Sequence, residues 1–187
     1  MGELVARAFD GVVTVQPHLH RTNDLSDVFG GKPALALPAI RAIAVNLWKS
    51  VSPSTIIIGP DEESAPLARG IAARLGLRWV TATKHRTGDS TVQMSLPSTV
   101  MYAAQPIVIV DDVISTGGTI SALAQSLRDV GAESIDVYAA HALFNEKAAC
   151  AMADAGVRRV VSLDSIPHAT NSISVIDIIA EALGSQE

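Results

Sequence analysis

The stretch VIVDDVISTGGTI, residues 108–120, decides the fold of this chain. An apolar run ends in two adjacent aspartates, and a turn rich in glycine and hydroxyl side chains follows at once. Short apolar runs of this kind are typical of buried strands, and Ser, Thr and Gly favour turns and helix starts. The stretch therefore predicts a strand, a turn and the start of a helix, with polar groups collected at the end of the strand.

The same alternation recurs along the chain. Runs rich in Val and Ile predict buried strands at residues 11–15, 55–59, 78–82, 106–110, 134–139 and 157–163. Apolar periodicity predicts helices at residues 36–49, 64–75, 119–130, 146–155 and 174–183. Strands that alternate with helices form mostly parallel sheets covered on both faces. We therefore predict an α/β fold with a mostly parallel sheet flanked by helices.

Two polar segments interrupt this alternation. Residues 18–38 are interpreted as a connection between a partial first unit and the main sheet. Residues 85–98, HRTGDSTVQMSLPS, are too polar for a core and predict a mobile hairpin that serves as a lid. One helix and one strand within residues 3–15 cannot bury both faces by themselves, so we predict that the first unit is incomplete.

Composition limits the class of protein. The chain has 187 residues, of which 48% are hydrophobic, and a net charge of −5. This charge argues against a nucleic-acid partner, and the single cysteine, Cys150, excludes a disulfide framework and is expected to pack within a helix. The apolar runs are shorter than the roughly 18 residues that a membrane span needs. We therefore expect a cytoplasmic protein without a nucleic-acid or membrane partner.

The turn after the two aspartates predicts a phosphate-binding site. Ligands of open parallel sheets bind beyond the carboxyl ends of strands. Glycines let successive backbone amides converge, and the following helix adds its unpaired amides and positive dipole end. The two carboxylates accept hydrogen bonds from vicinal sugar hydroxyls or hold Mg²⁺. Together these groups predict a sugar phosphate as ligand, with ribose 5-phosphate the natural size.

A simpler interpretation is a capped junction without a ligand, because Asp, Ser and Thr are ordinary N-cap residues. A cap needs only one such residue, however, whereas this turn contains many polar and glycine positions. The chain has neither the nucleotide P-loop nor the dinucleotide glycine pattern, which argues against a Walker-type kinase and a hydride-transfer enzyme.

The chain resembles the type I phosphoribosyltransferase fold and, more closely, the archaeal-type ribose-phosphate pyrophosphokinases. The motifs that carry the resemblance occur in family order: VVTVQPHLHR (12–21), IIIGPDEES (56–64), TKHRTGD (83–89), the stretch quoted above, HALF (141–144) and SLDSIPHATNSISV (162–175). The resemblance implies transfer of the pyrophosphoryl group of ATP to ribose 5-phosphate with release of AMP. It also implies Mg²⁺ as cofactor and a homo-oligomer, a dimer or larger.

The resemblance further implies roles for individual residues. Lys84 and Arg86 match the catalytic cations of the mobile loop, and Asp61 and His18 match positions at the pyrophosphate and the metal. The implied substrate-binding residues are Asp111 and Asp112 for the ribose hydroxyls, and Ser115, Thr116, Gly117, Gly118 and Thr119 for the 5-phosphate. Judged without the resemblance, a solvated loop pair is the less favoured alternative for the two cations, and a surface or packed histidine is the more common role for His18.

The chain departs from the family pattern in length and in sequence. Full members begin with another half-domain, so residues 1–35 are interpreted as the end of an N-terminal phosphoribosyltransferase-like domain and residues 36–187 as the C-terminal one. Gln16 stands where the family has an aspartate, and Glu62 and Glu63 make the loop after Asp61 acidic. Two alternatives therefore stay open: a phosphoribosyltransferase that consumes phosphoribosyl pyrophosphate, and a non-catalytic regulatory or binding subunit.

Overall fold

The structure, a computed structural model, describes residues 2–19, 24–87, 91–98 and 100–184. Its helices are α1 (Gly2–Ala8), α2 (Leu25–Val28), α3 (Ile40–Leu47), α4 (Ala65–Leu75), α5 (Gly118–Asp129), α6 (Glu146–Asp154) and α7 (Ile176–Gly184). Its strands are β1 (Val12–Val15), β2 (Ala34–Leu37), β3 (Ile56–Gly59), β4 (Arg78–Thr81), β5 (Thr83–Thr87), β6 (Thr91–Ser95), β7 (Pro106–Ile114), β8 (Ser134–Ala142), β9 (Arg159–Leu163) and β10 (Asn171–Ile173).

The larger of two compact units, Ile40–Ser174, is built on a six-stranded sheet of order β10-β9-β8-β7-β3-β4. Every neighbouring pair in this sheet is parallel. The predicted α/β fold with a mostly parallel sheet is therefore confirmed. The stretch that begins at Val108 lies in β7, between β3 and β8, so its polar end emerges at the carboxyl edge of the central strands.

Alternating side chains of the central strands face two helical layers. One layer is α5 and α6, whose Ile120, Leu123 and Met152 belong to the same buried cluster as Ile58 and Ile109. On the other side α4 packs against β3 and β7, and α3 packs against α4. Because each strand is covered on both faces, its sequence is a nearly continuous apolar run rather than an alternating one.

The other unit comprises Met1–Ala39 and Val175–Glu187. In it β1 and β2 form a two-stranded parallel sheet, and α7 packs against both strands. Residues 36–39 and α7 thus group with this first unit of the chain. The predicted boundary lay at residue 35 and placed both of them in the C-terminal domain. That this unit is the end of an N-terminal phosphoribosyltransferase-like domain stays a prediction.

The helix predicted at residues 36–49 begins too early. Residues Ala34–Leu37 form β2, which pairs with β1, and the helix begins only at Ile40. Apolar periodicity cannot distinguish a short apolar strand from a helical turn, and the pairing that decides between them involves residues about twenty positions away in sequence. The supposed connection at residues 18–38 accordingly contains α2 and β2.

The segment predicted as a hairpin is one, because β5 and β6 pair as antiparallel strands. Residues 88–90, between these strands, lie outside the described residues. The base of the hairpin packs into the core of the larger unit through Ala82, 2% exposed, and Met94, 9% exposed. The Tyr102 hydroxyl donates to the Pro97 carbonyl at 3.0 Å, just beyond β6. The mobility of this hairpin and its function as a lid stay predictions.

Two smaller expectations concern the cysteine and the membrane. Cys150 lies on a helix, α6, as expected, but it is exposed, so the expectation that it is packed is wrong. The buried side of that helix is formed instead by Ala148 and Met152. Within the described residues, no helix combines the length and the apolar character needed to cross a membrane.

A buried aspartate holds the amino ends of β8 and β9 together. Asp136, 4% exposed, accepts from Nε and Nη2 of Arg158 at 2.8 and 2.7 Å and from Nε of Arg159 at 2.9 Å. The hydrogen bonds and charge of Asp136 raise the pKa of the Arg158 guanidinium. These contacts therefore hold β8 and β9 in alignment. They also pair the buried Asp136 carboxylate with two guanidinium groups.

We expect Asp136→Ala to lower the free energy of unfolding by about 2 kcal/mol. This is less than the ~3–5 kcal/mol typical of breaking a fully buried ion pair, because both arginines are half-exposed and can turn to water. Urea unfolding measures the change, with Asp154→Ala, which removes an exposed carboxylate from α6, as the matched control. Equal losses in the two variants would contradict a structural role for Asp136.

Candidate functional site

A concave surface lies where β7 passes into α5. It is lined by Asp111 and residues 113–120 and encloses about 250 Å³ of space, part of it open to solvent. These lining residues form a cradle. Ser115, Thr116 and Gly118 are exposed, whereas Ile114 and Ile120 are buried and anchor the two ends of the turn in the core.

Gly117 gives the turn its shape. It is the N-cap of α5 with φ +71° and ψ −4°, a left-handed conformation that glycine adopts without strain. A Cβ at this position would lie 3.4 Å from Ala148 Cβ and from Met152 Cγ and Sδ of α6. The cradle therefore needs glycine both for its backbone angle and for the close packing of α6 behind it.

Two carboxyl groups of β7 lie at the cradle, and a third, in the loop after the neighbouring strand β3, is near enough to act on one of them electrostatically. Burial, and then the charges of Asp112 and Asp61, raise the pKa of Asp111 from 3.8 to about 8. The Asp112 amide donates to Asp111 Oδ1 at 3.0 Å. Asp61 follows β3, which pairs with β7 through Ile58 and Ile109. Asp61 and Asp112 are thus close enough to Asp111 to act on its ionisation, and the binding roles assigned to the three carboxyl groups stay predictions.

The loop that carries Asp61 closes on itself through Ser64. Ser64 is 1% exposed, its amide donates to Asp61 Oδ1 at 3.1 Å, and its hydroxyl donates to the Asp61 carbonyl at 2.7 Å. Sequence reasoning did not single out Ser64, although an Asp followed three positions later by Ser is a turn signal. Gly59 is confined as well, because a Cβ there would meet the Ser64 hydroxyl at 2.6 Å.

One of the two predicted catalytic cations reaches the cradle. Lys84 Nζ donates to Thr119 Oγ1 at 3.2 Å, across 35 positions of sequence. The backbone of Arg86 lies in β5 opposite Val92, and its side chain lies outside the described residues. The geometry therefore joins Lys84 with Thr119 and leaves the role of Arg86 a prediction.

His18 is exposed and belongs to the first unit, so its assignment to the pyrophosphate and metal stays a prediction. Gln16, two positions earlier, has φ +45°. Its amide donates to the Leu37 carbonyl at 2.8 Å, and its Oε1 accepts from the Ala39 amide at 3.0 Å. The Gln16 side chain thus binds the backbone after β2.

Two histidines hold the loops after β8 and β9. His168 Nε2 lies 2.9 Å from the Phe144 carbonyl and Nδ1 lies 3.2 Å from the Thr170 amide, which assigns the proton to Nε2. His141 Nδ1 lies 2.8 Å from Ser165 Oγ, whose hydroxyl donates to the Ala140 carbonyl. These contacts give both histidines a structural role at the carboxyl edge of the sheet.

The acidic groups suit Mg²⁺ without forming a complete cage for it. In the described part of the chain, no group of three or more His, Cys, Asp or Glu side chains lies close enough to hold a metal ion. Mg²⁺ in phosphate-transfer sites usually takes one or two carboxylates together with substrate phosphates. Asp61 fits that pattern, since carboxylate oxygens are the hard ligands that Mg²⁺ prefers.

Comparison with known proteins gives a consistent result. Residues 35–176 match the phosphoribosyl transferase domain. Ribose-phosphate pyrophosphokinase 2 of Archaeoglobus fulgidus is 32% identical over 181 residues, which are 97% of this chain and 64% of that protein. The ribose-phosphate pyrophosphokinase of Methanothermobacter thermautotrophicus is 34% identical over 180 residues, 96% of this chain and 61% of that protein. The present chain thus spans less than two thirds of the curated relatives that it matches.

A solved structure has the same fold along nearly the whole chain. The phosphoribosylpyrophosphate synthetase of Mycobacterium smegmatis superposes with a TM-score of 0.77 and covers 99% of this chain, which in turn covers 63% of that protein. The sequence identity is 22%, so this likeness shows the fold alone. The type I phosphoribosyltransferase-like architecture expected from the motifs is confirmed.

Proposed function

This chain belongs to the phosphoribosyl transferase domain family, and we therefore propose that it is a ribose-phosphate pyrophosphokinase or the ribose 5-phosphate-binding part of one. In the proposed reaction, ATP and ribose 5-phosphate give AMP and phosphoribosyl pyrophosphate. The relatives that match nearly the whole chain carry this name. The chain covers less than two thirds of their length, so the proposal for the complete reaction includes the part of the relatives that it does not span.

The observation that carries the proposal is the cradle beside paired carboxylates. Backbone amides at the start of α5 and the hydroxyls of Ser115, Thr116 and Thr119 are donors suited to a phosphate. Asp111 and Asp112 are acceptors suited to the vicinal hydroxyls of ribose. One site with both kinds of group matches a ribose 5-phosphate, whose phosphate and diol lie at opposite ends of one small molecule.

The proposed orientation of ribose 5-phosphate assigns roles to the groups around it. We propose an orientation in which the 5-phosphate lies in the cradle and the anomeric hydroxyl of the ribose faces the loop of Asp61. Asp61 is proposed to act at the pyrophosphate through Mg²⁺, with His18 as a further ligand, and Arg86 and Lys84 to supply positive charge. Bound Mg²⁺ would neutralise phosphate charge, since phosphoryl-type transfer depends mainly on positioning and electrostatic stabilisation.

We also propose that the protein is a cytoplasmic homo-oligomer. ATP and ribose 5-phosphate are metabolites of the cytoplasm. The first unit exposes large apolar side chains, among them Leu4, Phe9 and Ile176, which are 68%, 62% and 68% exposed. Its parallel sheet has only two strands, and exposed apolar surface on such a small unit favours association.

Titration calorimetry of the full chain with ribose 5-phosphate tests the proposal, with ribose as the ligand that lacks the phosphate. We expect binding of ribose 5-phosphate, and a roughly 10- to 100-fold weaker affinity for Asp112→Asn, because that variant loses a charged acceptor for a sugar hydroxyl. Asp154→Asn, an exposed carboxylate on α6, is the control. A second titration with a non-hydrolysable ATP analogue and Mg²⁺, followed by an assay for AMP release, tests the complete reaction.

The outcomes separate the two parts of the proposal. Binding of the sugar phosphate without AMP release would restrict this chain to the binding part. Failure of the wild-type chain to bind ribose 5-phosphate would contradict the proposed site.

A further inference from the structure

Lys84 contacts Thr119 and so links the hairpin to the cradle. The role proposed above for Lys84, to supply positive charge at the transferred pyrophosphoryl group, does not explain this contact. Lys84 lies in β5, and Thr119 lies in the first turn of α5 and lines the cradle. Their side chains meet at 3.2 Å. A lysine dedicated only to the transferred pyrophosphoryl group would be expected at the carboxylate side of the site rather than at the phosphate donors.

The packing of the hairpin explains why Lys84 points toward α5. Lys84 and Met94 are directly opposite each other in the antiparallel β5–β6 pair, and opposite residues project from the same face. Met94 is 9% exposed and packs in the cluster that contains Ile120 and Leu123 of α5. Burial of Met94 therefore turns this face of the hairpin toward α5 and brings the Lys84 ammonium to the helix start.

The electrostatics of that position favour an anion. A helix N-terminus carries a partial positive charge, so a cation beside it is unfavourable unless an anion lies between them. Within the described residues, the hydrogen-bond partner of Lys84 is the neutral Thr119 hydroxyl, and no carboxylate forms an ion pair with it. A phosphate monoester that enters the cradle accepts hydrogen bonds from the Lys84 ammonium and the Thr119 hydroxyl. Its negative charge compensates the positive charges of the ammonium and of the helix N-terminus together.

We propose that Lys84 is a positioning residue for the phosphate held in the cradle, so that one phosphate group binds the start of α5 and the hairpin at the same time. The inference rests on the proposed function and adds a second role to Lys84. Occupation of the cradle then fixes the hairpin, because a charge-assisted hydrogen bond to phosphate replaces or reinforces a contact to a neutral hydroxyl. Arg86 remains the residue proposed for the transferred group.

The test compares Lys84→Met, Lys84→Arg and the control Lys49→Met, which removes an exposed lysine outside the site. The ligand in each titration is ribose 5-phosphate. We expect Lys84→Met to weaken binding roughly 10- to 100-fold, the usual effect of losing one charge-assisted hydrogen bond. Lys84→Arg restores most of the affinity, and Lys49→Met matches the wild type. The affinity of Lys84→Met also depends less steeply on salt, because one charge pair is missing.

Amide hydrogen exchange of the hairpin gives a readout that a purely structural lysine would not move. We expect ribose 5-phosphate to slow exchange in β5 and β6 of the wild-type chain and of Lys84→Arg. In Lys84→Met at saturating ligand, the same strands exchange as they do without ligand. Ribose, which has no phosphate, leaves exchange unchanged in every variant.

Two different results would overturn the inference, and they are distinguishable. If Lys84→Met binds ribose 5-phosphate as tightly as the wild type and its hairpin is protected equally, Lys84 does not position the phosphate, and the proposed function stands. If the wild-type chain does not bind ribose 5-phosphate, the proposed function fails and the role of Lys84 fails with it.

Discussion

Gly117→Val will lower the affinity for ribose 5-phosphate at least about 100-fold, because the cradle loses several backbone hydrogen bonds worth ~0.5–1.5 kcal/mol each. Gly117 has φ +71°, where a β-branched residue is strained. Its Cβ would lie 3.4 Å from atoms of Ala148 and Met152, and the further methyl groups of valine need more room than these neighbours leave. The turn must therefore open, and its amides no longer converge on one phosphate.

Gly131→Val is the matched control for this prediction. Gly131 also has positive φ, +80°, and a Cβ there would meet Ala103 only at 3.8 Å, in ordinary contact. Both variants should lose stability by about 1–3 kcal/mol from backbone strain. Only Gly117→Val should lose the ligand in titration calorimetry. Equal binding by both variants would mean that the shape of this turn does not determine phosphate affinity.

The second large effect is a fall in stability with rising pH that depends on Asp111. Its pKa is about 8 in the folded chain, compared with the ordinary 3.8, chiefly because of burial and then the charges of Asp112 and Asp61. The folded state thus holds this proton more tightly than the unfolded chain does. The free energy of unfolding therefore decreases as the pH rises from about 4 to about 8, by an amount on the order of 5 kcal/mol.

Urea unfolding at pH 5 and pH 9, without divalent cations, measures this effect. Asp111→Asn should flatten the dependence and should be more stable than the wild type at pH 9, since asparagine stays neutral and its Oδ1 still accepts from the Asp112 amide. Asp154→Asn, which changes an exposed carboxylate, should keep the wild-type profile. A wild-type profile parallel to that of Asp111→Asn would contradict the shifted ionisation of Asp111.

Much of the central sheet could be predicted because the relevant signals are local. The apolar runs at residues 55–59, 106–110 and 134–139 each became a buried strand, and β7 and β8 extend beyond them to Ile114 and Ala142. Those extensions contain Asp111, Asp112 and His141, polar residues that end an apolar pattern. The pairing of Val113 with His141 and of Ile114 with Ala142, which joins the two extensions, is visible only in the sheet.

The first unit was harder to predict because its structure depends on distant partners. Residues 34–37 are compatible with a helix by periodicity, and only the pairing of Val12 with Ala34 makes them a strand. The helix α7 follows the second unit in sequence yet groups with the first one. No local propensity encodes such a pairing, so the domain boundary could not be derived from the amino-acid pattern.

The candidate site likewise has features that the local sequence predicts and features that depend on contacts between distant segments. The sequence alone determined the strand, the two carboxylates, the glycine turn and the helix start, because all of these lie within residues 108–120 and follow from local backbone preferences. Only the tertiary structure decided that Asp61 lies near Asp111 and that Lys84 reaches Thr119. Those contacts depend on the order of parallel strands and on the burial of Met94, which are fixed by packing between segments far apart in the chain.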